Sequence, residues 1–478
     1  MNLKIKKVAV LGAGVMGAQI ACHFANIGIE VLLLDMAPKE LKESEIKLGL
    51  HHPLVRNRLT RQLFERTLKL KPDPLYKKEF AKRISLGNFD EDLPQITDCD
   101  WVIEAIVENL EIKKNLYEKV EIYRKPDTLI TTNTSGIPIQ VLTHGRSQNF
   151  KQYFCGTHFF NPPRYLKLLE IIPAKETLTD VAAFLKDYGE RFLGKSVVTC
   201  KDTPAFIANR VGIYSMMSVV HLMKEMDFSV QEIDKLTGII IGRPKSATFR
   251  TCDVVGLDTL VFVARNLQAV LINDESKDTF LVPESIQKML DLKWLGSKTK
   301  QGFYKKVKSQ DGQSEILSLD LKSFEYQAKQ RLKIAEFEKA KALPELTKRI
   351  KSLISGNSKI NLFYQKLFYG LFTYISNRIP EISDDLYKID EAMCAGFAWE
   401  IGPFEIWDSL GLEKTVPQME KLGMKPAAWI YEMMEKKESF YQLQDGHKQY
   451  YDTSKNKHIT IPGTEQFISL KNIRSSQT

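Results

Sequence analysis

The sequence predicts an α/β chain: a doubly wound, mostly parallel sheet over the first 200 residues, followed by a mostly helical region made of two repeated units. Three observations lead there. An apolar run ends in a glycine-rich turn, passes into a helical pattern, and is followed by a second apolar run ending in an acid. Short apolar runs of strand type recur up to about residue 200 and then nearly disappear. Beyond that point one set of residues occurs twice, with identical Phe-to-Asp and Asp-to-Gly spacings.

Lys7-Val8-Ala9-Val10-Leu11 reads as the first strand. It leads into Gly12-Ala13-Gly14-Val15-Met16-Gly17, then into a helical pattern through Ile20, Phe24 and Ile27. A second strand over 29–34 ends at Asp35. This is the dinucleotide fingerprint in its expected setting. The first glycine permits a tight turn, the second lets the backbone approach a pyrophosphate, and the third lets helix pack on strand. The helix start offers free N–H groups and positive potential to the phosphates. Asp35 can bind the ribose hydroxyls and would repel a 2′-phosphate, so NAD is expected rather than NADP. The expected cofactor contacts here are Gly12, Gly14, Val15, Met16, Gly17 and Asp35.

Residues 37–83 form a long helical, charged insertion, interrupted at Pro53 and at Pro72-Asp73-Pro74. Between Arg56 and Arg83 it carries ten Lys or Arg and three acids. Such a run is either a solvated helical face or a site for a polyanion, whether nucleic acid or a phosphorylated small molecule. Few aromatics interleave with these charges, which argues against nucleic acid. Strands are expected at 84–88, 100–108 and 128–136. Ligands of open parallel sheets bind at the C-terminal strand ends. Glu108 and Ser135 therefore fall where a nicotinamide ring and a substrate would lie, although Thr134 or Ser135 could instead cap a helix.

Gly156 to Glu170 carries the candidate chemistry. His158 is followed twelve residues later by Glu170, each beside apolar residues, and Pro162-Pro163 punctuates the middle. Strand, turn, strand is the natural reading. A buried glutamate needs a partner, and an imidazole can be that partner. A histidine held by a carboxylate has a fixed tautomer and raised basicity, as a general base requires. The bland alternative is a core histidine and a solvent-facing glutamate.

A helix near 179–193 and a strand at 196–199 complete the first part, and 201–210 opens the helical region. There Ile233-Asp234, Gly242-Arg243-Pro244, Phe249, Asp253 and Gly256-Leu257 are echoed by Ile389-Asp390, Gly402-Pro403, Phe404, Asp408 and Gly411-Leu412. The first copy closes at Gly302-Phe303-Tyr304. The expected division is 1–200, sheet domain; 201–306, first helical unit; 307–345, linker (including Ser309-Gln310-Asp311-Gly312) and helix; 346–440, second unit; and 441–478, a polar, less ordered tail.

Hydrophobic content of 43% and charged content of 27% are those of an ordinary globular chain. The six cysteines are scattered, without zinc or disulfide spacing, which fits a reducing compartment and excludes a metal site of that kind. The strand pattern begins at Ile5, leaving no room for a signal peptide, and no apolar run approaches membrane-spanning length. A cytoplasmic protein with no nucleic-acid or membrane partner is expected.

The residues resemble the L-3-hydroxyacyl-CoA dehydrogenases of fatty-acid β-oxidation. The matching pieces are 11–17, Glu104-Ala105-Ile106-Val107-Glu108-Asn109, Asn133-Thr134-Ser135, His158-Phe159-Phe160-Asn161-Pro162, Asp202-Thr203-Pro204, Phe206, Asn209-Arg210 and Gly302-Phe303-Tyr304. The doubled C-terminal unit is similar to the dehydrogenase portion of bacterial multifunctional β-oxidation enzymes, and the resemblance spans roughly residues 5–440. It implies a Rossmann-type NAD-binding domain, followed by two C-terminal units of the kind also found in 6-phosphogluconate dehydrogenase. It implies His158 as base toward the 3-hydroxyl and Glu170 as its orienting partner. Ser135 and Asn209 would hydrogen-bond the reacting oxygen. Glu108 and Lys113 would lie near the nicotinamide riboside, Asn161 and Lys298 at the cofactor's edge. The basic insertion would meet the coenzyme A phosphates of an acyl-CoA substrate.

Two departures stand out. Ala205 replaces a usual glycine, and 243–250 lacks the Gly-Pro-Phe kept at 402–404. Nothing resembling a hydratase follows residue 440. The resemblance leaves open a homodimer, or association with a separate enoyl-CoA hydratase or thiolase. Two alternatives remain: a related dehydrogenase acting on a hydroxy acid without coenzyme A, and a non-catalytic NAD-binding protein.

Overall fold

Lys7-Val8-Ala9-Val10-Leu11 has no polar side chain after its first residue, so as a strand it must be covered on both faces. The computed structural model, which describes residues 3–308, 313–330, 332–464 and 469–470, places it at the centre of an eight-stranded sheet. The strands are β1 (Lys7–Leu11), β2 (Glu30–Asp35), β3 (Ile84–Asn88), β4 (Trp101–Glu104), β5 (Leu129–Thr132), β6 (Phe154–Phe159), β7 (Leu168–Pro173) and β8 (Ser196–Thr199). Their order is β3-β2-β1-β4-β5-β6-β7-β8. All neighbours run parallel except β6 and β7, which are antiparallel. The connection from β6 to β7 is too short for a crossover helix, so the chain turns back on itself.

Helices Val15–Asn26, Leu110–Tyr123 and Thr179–Arg191 cover the sheet. At one core contact Trp101 packs edge-on against Phe24 and Tyr188, with ring centroids 5.2 and 5.7 Å away. Its indole N–H donates to Thr131 Oγ1 at 2.9 Å, so the buried ring leaves no orphan donor. In the insertion the one sizeable helix is Arg58–Thr67, flanked by short turns. The charge there is partly internal. Arg56 pairs with Asp90 and Glu91, Arg58 with Glu45, and Arg83 donates to the Ala25 carbonyl.

The chain divides into two units, 1–206 and 207–478. In the second, helices Ala208–Glu225, Val230–Leu236, Phe249–Val255 and Leu257–Val270 find counterparts in Lys359–Asn377, Leu386–Gly396, Pro403–Leu410 and Leu412–Lys421. The repeat extends to individual hydrogen bonds. Asp234 accepts from the Phe249 and Arg250 amides and the Tyr304 hydroxyl, at 2.7, 3.1 and 2.8 Å. Asp390 does the same with Phe404, Glu405 and Tyr441, at 2.8, 3.0 and 2.9 Å. Asp253 accepts from the Phe303 and Tyr304 amides, and Asp408 from Phe440 and Tyr441. Burial raises Asp234, Asp253 and Asp408 to about 6 and Asp390 to about 8. Each copy is thus clasped by two buried carboxyls that join a helix start to a distant Phe-Tyr pair.

Two expectations need correction. Residues 307–345 are not a linker and helix alone. β9 (Tyr304–Lys308), β10 (Ser314–Leu319) and β11 (Tyr326–Gln327) form an antiparallel meander before the short helix Ala335–Lys341; Ser309 to Gly312 lie outside the described residues. Nor does order stop at 440. β12 (Tyr441–Gln444), β13 (His447–Asp452) and β14 (Lys457–Thr460) form the equivalent meander of the second copy, so that copy runs past its expected end. Gln, His and Lys side chains make these strands read as polar. These polar residues are the more exposed ones, while Phe440, Tyr450 and Tyr451 are buried, the two tyrosines on opposite faces of β13. Among the described residues, no helix is long and apolar enough to cross a membrane.

Asp408→Ala should lower stability by ~2 kcal/mol or more, because two inward backbone N–H groups lose their acceptor. Chemical unfolding followed by the fluorescence of Trp407 and Trp429 would read it, and an unchanged midpoint would remove the clasp from its structural role.

Candidate active site

The glycine loop is shaped by what surrounds it. Gly12 has φ of 105°, and a Cβ there would lie 2.6 Å from the Ala105 carbonyl oxygen. A Cβ on Gly17 would sit 1.8 Å from the Gly12 oxygen, so only glycine lets the helix start this close to the turn. Around Gly14 there is open space, and as N-cap of helix Val15–Asn26 it supplies no side-chain acceptor. The amides at that end are left to an outside acceptor such as a phosphate. Val15 is exposed and Met16 packs against the core. Asp35 ends β2; its carboxylate accepts from the Ala13 amide at 2.6 Å and the Met36 amide at 2.7 Å, which brings the acid back over the loop.

Because β1 to β6 run parallel, Gly12, Asp35, Glu104, Ser135 and His158 all come to the same edge of the sheet. β7 runs the other way and returns Glu170 to that edge. The register sets His158 directly opposite Glu170, where antiparallel side chains share a face. Nδ1 of His158 lies 2.7 Å from Glu170 Oε2. The imidazole is 6% exposed and the glutamate fully buried, so neither group has bulk water as a substitute partner. Phe160 and Phe206 flank the ring, with centroids 4.5 and 5.7 Å away. An ionised Glu170 fixes the proton on Nδ1, which leaves the lone pair of Nε2 as the basic site. The solvent-facing glutamate of the bland alternative is ruled out.

Glu108 lies in the loop after β4 rather than on the strand, which stops at Glu104. There it accepts from the Thr134 hydroxyl at 2.5 Å and from the Ser135 and Gly136 amides at 3.1 Å. The Thr134 oxygen in turn accepts from the Ile137 amide at 3.1 Å. Thr134, not Ser135, therefore makes the local turn, and the Ser135 hydroxyl takes no part in it. Asn133 Oδ1 accepts from the Phe159 amide at 2.8 Å and ties the end of β5 to the strand bearing His158. Asn161 accepts from Gln19 Nε2 at 3.0 Å, which fastens the loop after β6 to the cofactor-type helix.

Lys113 is 1% exposed, with its ammonium 2.6 Å from Glu104 and 3.4 Å from Glu108. Glu104 is the residue that sequence reasoning missed. It is fully buried and takes four donors: Lys113 Nζ, the Tyr117 hydroxyl at 2.7 Å, the Thr132 hydroxyl at 2.6 Å and the Ile106 amide at 2.7 Å. Burial, and then the charge of Glu104, hold the Tyr117 hydroxyl well above the usual tyrosine range, so it stays a donor. A signal was available: an acid inside the apolar run from Trp101 to Val107 must find a partner.

Asn209 and Lys298 belong to the second unit. Asn209 is half-buried in the first turn of helix Ala208–Glu225, and Lys298 Nζ lies 2.5 Å from both carboxylate oxygens of Asp258. Ala205, which stands where the resemblance expects glycine, has φ of 61°. That left-handed conformation is the physical reason a glycine suits this position.

A Rossmann sheet, a glycine turn opening onto an uncapped helix start, and a buried acid–imidazole pair at the same edge define a protein of the dinucleotide-binding oxidoreductase class. Comparison with known proteins narrows this. Residues 7–203 match the family model of the 3-hydroxyacyl-CoA dehydrogenase NAD binding domain, and residues 206–306 that of the 3-hydroxyacyl-CoA dehydrogenase C-terminal domain. The chain belongs to the 3-hydroxyacyl-CoA dehydrogenase family, whose members are NAD-dependent oxidoreductases.

A Bacillus subtilis protein named as a probable 3-hydroxyacyl-CoA dehydrogenase is 46% identical over 455 residues, covering 95% of this chain and 57% of the relative. The chain thus spans little more than half that protein's length. A Deinococcus radiodurans protein of the same name is 43% identical over 308 residues, covering 64% of this chain and 85% of the relative. The solved 3-hydroxybutyryl-CoA dehydrogenase of Escherichia coli shares the fold at a TM-score of 0.62 and 22% identity, covering 90% of this chain and 98% of that one.

Glu104→Gln should destabilise the first unit by ~3 kcal/mol or more, since it leaves the Lys113 charge buried without its closest counter-charge. A thermal or chemical unfolding curve within ~0.5 kcal/mol of wild type would show that the network is not needed for the fold.

Proposed function

We propose that the protein oxidises (S)-3-hydroxyacyl-CoA to 3-oxoacyl-CoA with NAD, in fatty-acid β-oxidation. The buried His158–Glu170 pair at 2.7 Å is the observation that carries this reading. NAD, when bound, supplies the hydride acceptor for C3 of the substrate. As the C3–H bond gives up its hydride, the O–H bond gives up its proton to His158 Nε2, and C3 and oxygen become a carbonyl. Glu170 fixes the receptive tautomer before the transfer and offsets the imidazolium charge after it. Because the pair excludes water, its hydrogen bond acts in a low dielectric, where it is strongest.

The remaining roles are those that the family resemblance implies. Ser135 and Asn209 hydrogen-bond the reacting oxygen, where negative charge develops. Glu108 and Lys113 border the nicotinamide riboside; Lys113, pinned between two carboxylates, offers a fixed rather than a searching ammonium. Asn161, held by Gln19, and Lys298 border the cofactor's edge. Of the ten cations between Arg56 and Arg83, Arg61, Arg66, Lys69, Lys78 and Lys82 are left for coenzyme A phosphates, because Arg56, Arg58 and Arg83 are engaged within the fold, Lys71 pairs with Asp73 and Lys77 with Glu79.

His158→Gln and Glu170→Gln should each lower turnover by at least ~100-fold, with NADH affinity little changed. Near wild-type turnover in either variant would remove that residue from its role. NADH consumption should be seen with acetoacetyl-CoA and with a long-chain 3-oxoacyl-CoA, and not with acetoacetate. Activity on the free acid would favour a dehydrogenase that does not require coenzyme A. NADH binding without turnover on any of the three would leave a non-catalytic binding protein.

A further inference from the structure

The second unit builds the same scaffold twice, so differences between its copies lie in the side chains placed on matched backbone. The shared aspartate clasps fix the equivalences: Arg250 matches Glu405, and Tyr304 matches Tyr441. Strand register then matches Lys306 with Leu443 and Ile316 with Lys448. Even the left-handed lysine three residues before the Phe-Tyr pair recurs, as Lys300 (φ 59°) and Lys437 (φ 57°).

In the second copy the helix and the meander are bridged. Glu405 on helix Pro403–Leu410 pairs with Lys448 on β13, and the Lys448 ammonium lies 4.0 Å from the centroid of the Tyr441 ring. In the first copy the acid is replaced by Arg250 and the base by Ile316, so no bridge forms. Arg250 lies over the Tyr304 ring, 5.5 Å from its centroid, and the gap between helix and meander is a cavity of about 710 Å³.

Its walls are made by regular geometry. Tyr304, Lys306 and Lys308 alternate along β9 and so project to one face. Ile316 stands opposite Lys306. Arg250 and Val254, one turn apart on helix Phe249–Val255, face them from the other side, and Lys300 closes the end. Asp253, the only acid in the lining among the described residues, spends both oxygens on the Phe303 and Tyr304 amides. Among the described residues Arg250, Lys300, Lys306 and Lys308 form no salt bridge, the charge of Arg250 acting on Asp253 only at longer range. Four like charges around one concavity repel one another, and a multivalent anion would relieve that repulsion.

We propose that this cavity binds a phosphorylated ligand of the nucleoside polyphosphate kind, carrying at least two negative charges and an aromatic body. Lysine and arginine suit phosphate oxygens, and the volume falls within the ~300–1,000 Å³ typical of small-molecule sites. Val254 and Ile316 give the ring an apolar surface. The lining residues lie wholly in the second unit. The ligand could be a free nucleotide or the nucleotide arm of coenzyme A, which share this chemistry.

Equilibrium dialysis of the full chain against ADP, with NADH saturating the glycine-loop site, tests it. One ADP per chain should bind, with competition by inorganic tripolyphosphate. Arg250→Glu and Lys306→Leu, which install the residues the second copy already carries, should each weaken binding at least ~10-fold with little change in melting temperature. Lys308→Gln, which removes one of the four lining cations at the end of β9, should weaken it less. Displacement by coenzyme A would identify the site with its nucleotide arm; failure to displace would identify it with a free nucleotide. No ADP binding beside NADH, no competition by tripolyphosphate, or equal binding in wild type and all three variants would overturn the proposal.

Discussion

The antiparallel pairing of β6 with β7 is the constraint on which the site depends. Had the chain crossed over to a parallel β7, as it does between its other sheet neighbours, Glu170 would have run toward the opposite edge. The turn through Pro162 and Pro163 instead brings it back in register, so that a glutamate with no exposure faces an imidazole with almost none. A lone carboxylate there would be costly, and a lone imidazole would lack a fixed tautomer. Each group makes the other's burial tolerable, and the second ring nitrogen is left outside the pair.

A second buried carboxylate organises the neighbouring loops. Glu104 gathers an ammonium, two hydroxyls and an amide at the end of β4, and Glu108, four residues on, orders the loop that carries Ser135. Between them lies Lys113. Charges are kept inside this unit only where several donors converge on one acid, the condition under which a buried ion is tolerated. The same logic recurs in the second unit, where Asp234, Asp253, Asp390 and Asp408 each satisfy two or more donors. These acids hold helix starts to strand starts, and so carry the repeat as geometry rather than as sequence similarity.

Duplication has freed one copy to differ. A cross-gap ion pair closes the second copy, whereas the first has exchanged its acid for a base and kept the gap open. The scaffold is indifferent to this exchange because the aspartate clasps, not the surface pair, hold helix and meander together.

By itself the sequence determined the Rossmann sheet, the glycine turn, the acid ending β2, the His–Glu candidate and the existence of a repeat. These are local: period, spacing and turn chemistry survive without knowledge of distant partners. Only tertiary structure decided which ionisable groups meet. Glu104 was visible as an anomaly in an apolar run, but three of its four donors come from two further segments, the helix Leu110–Tyr123 and β5. The meanders at 304–327 and 441–460 were read as linker and tail because half-exposed strands carry polar residues, and what pairs them lies on other strands. Sequence reports what a residue can do; the fold reports what it must face, because pairing across a sheet depends on register and burial that no local pattern contains.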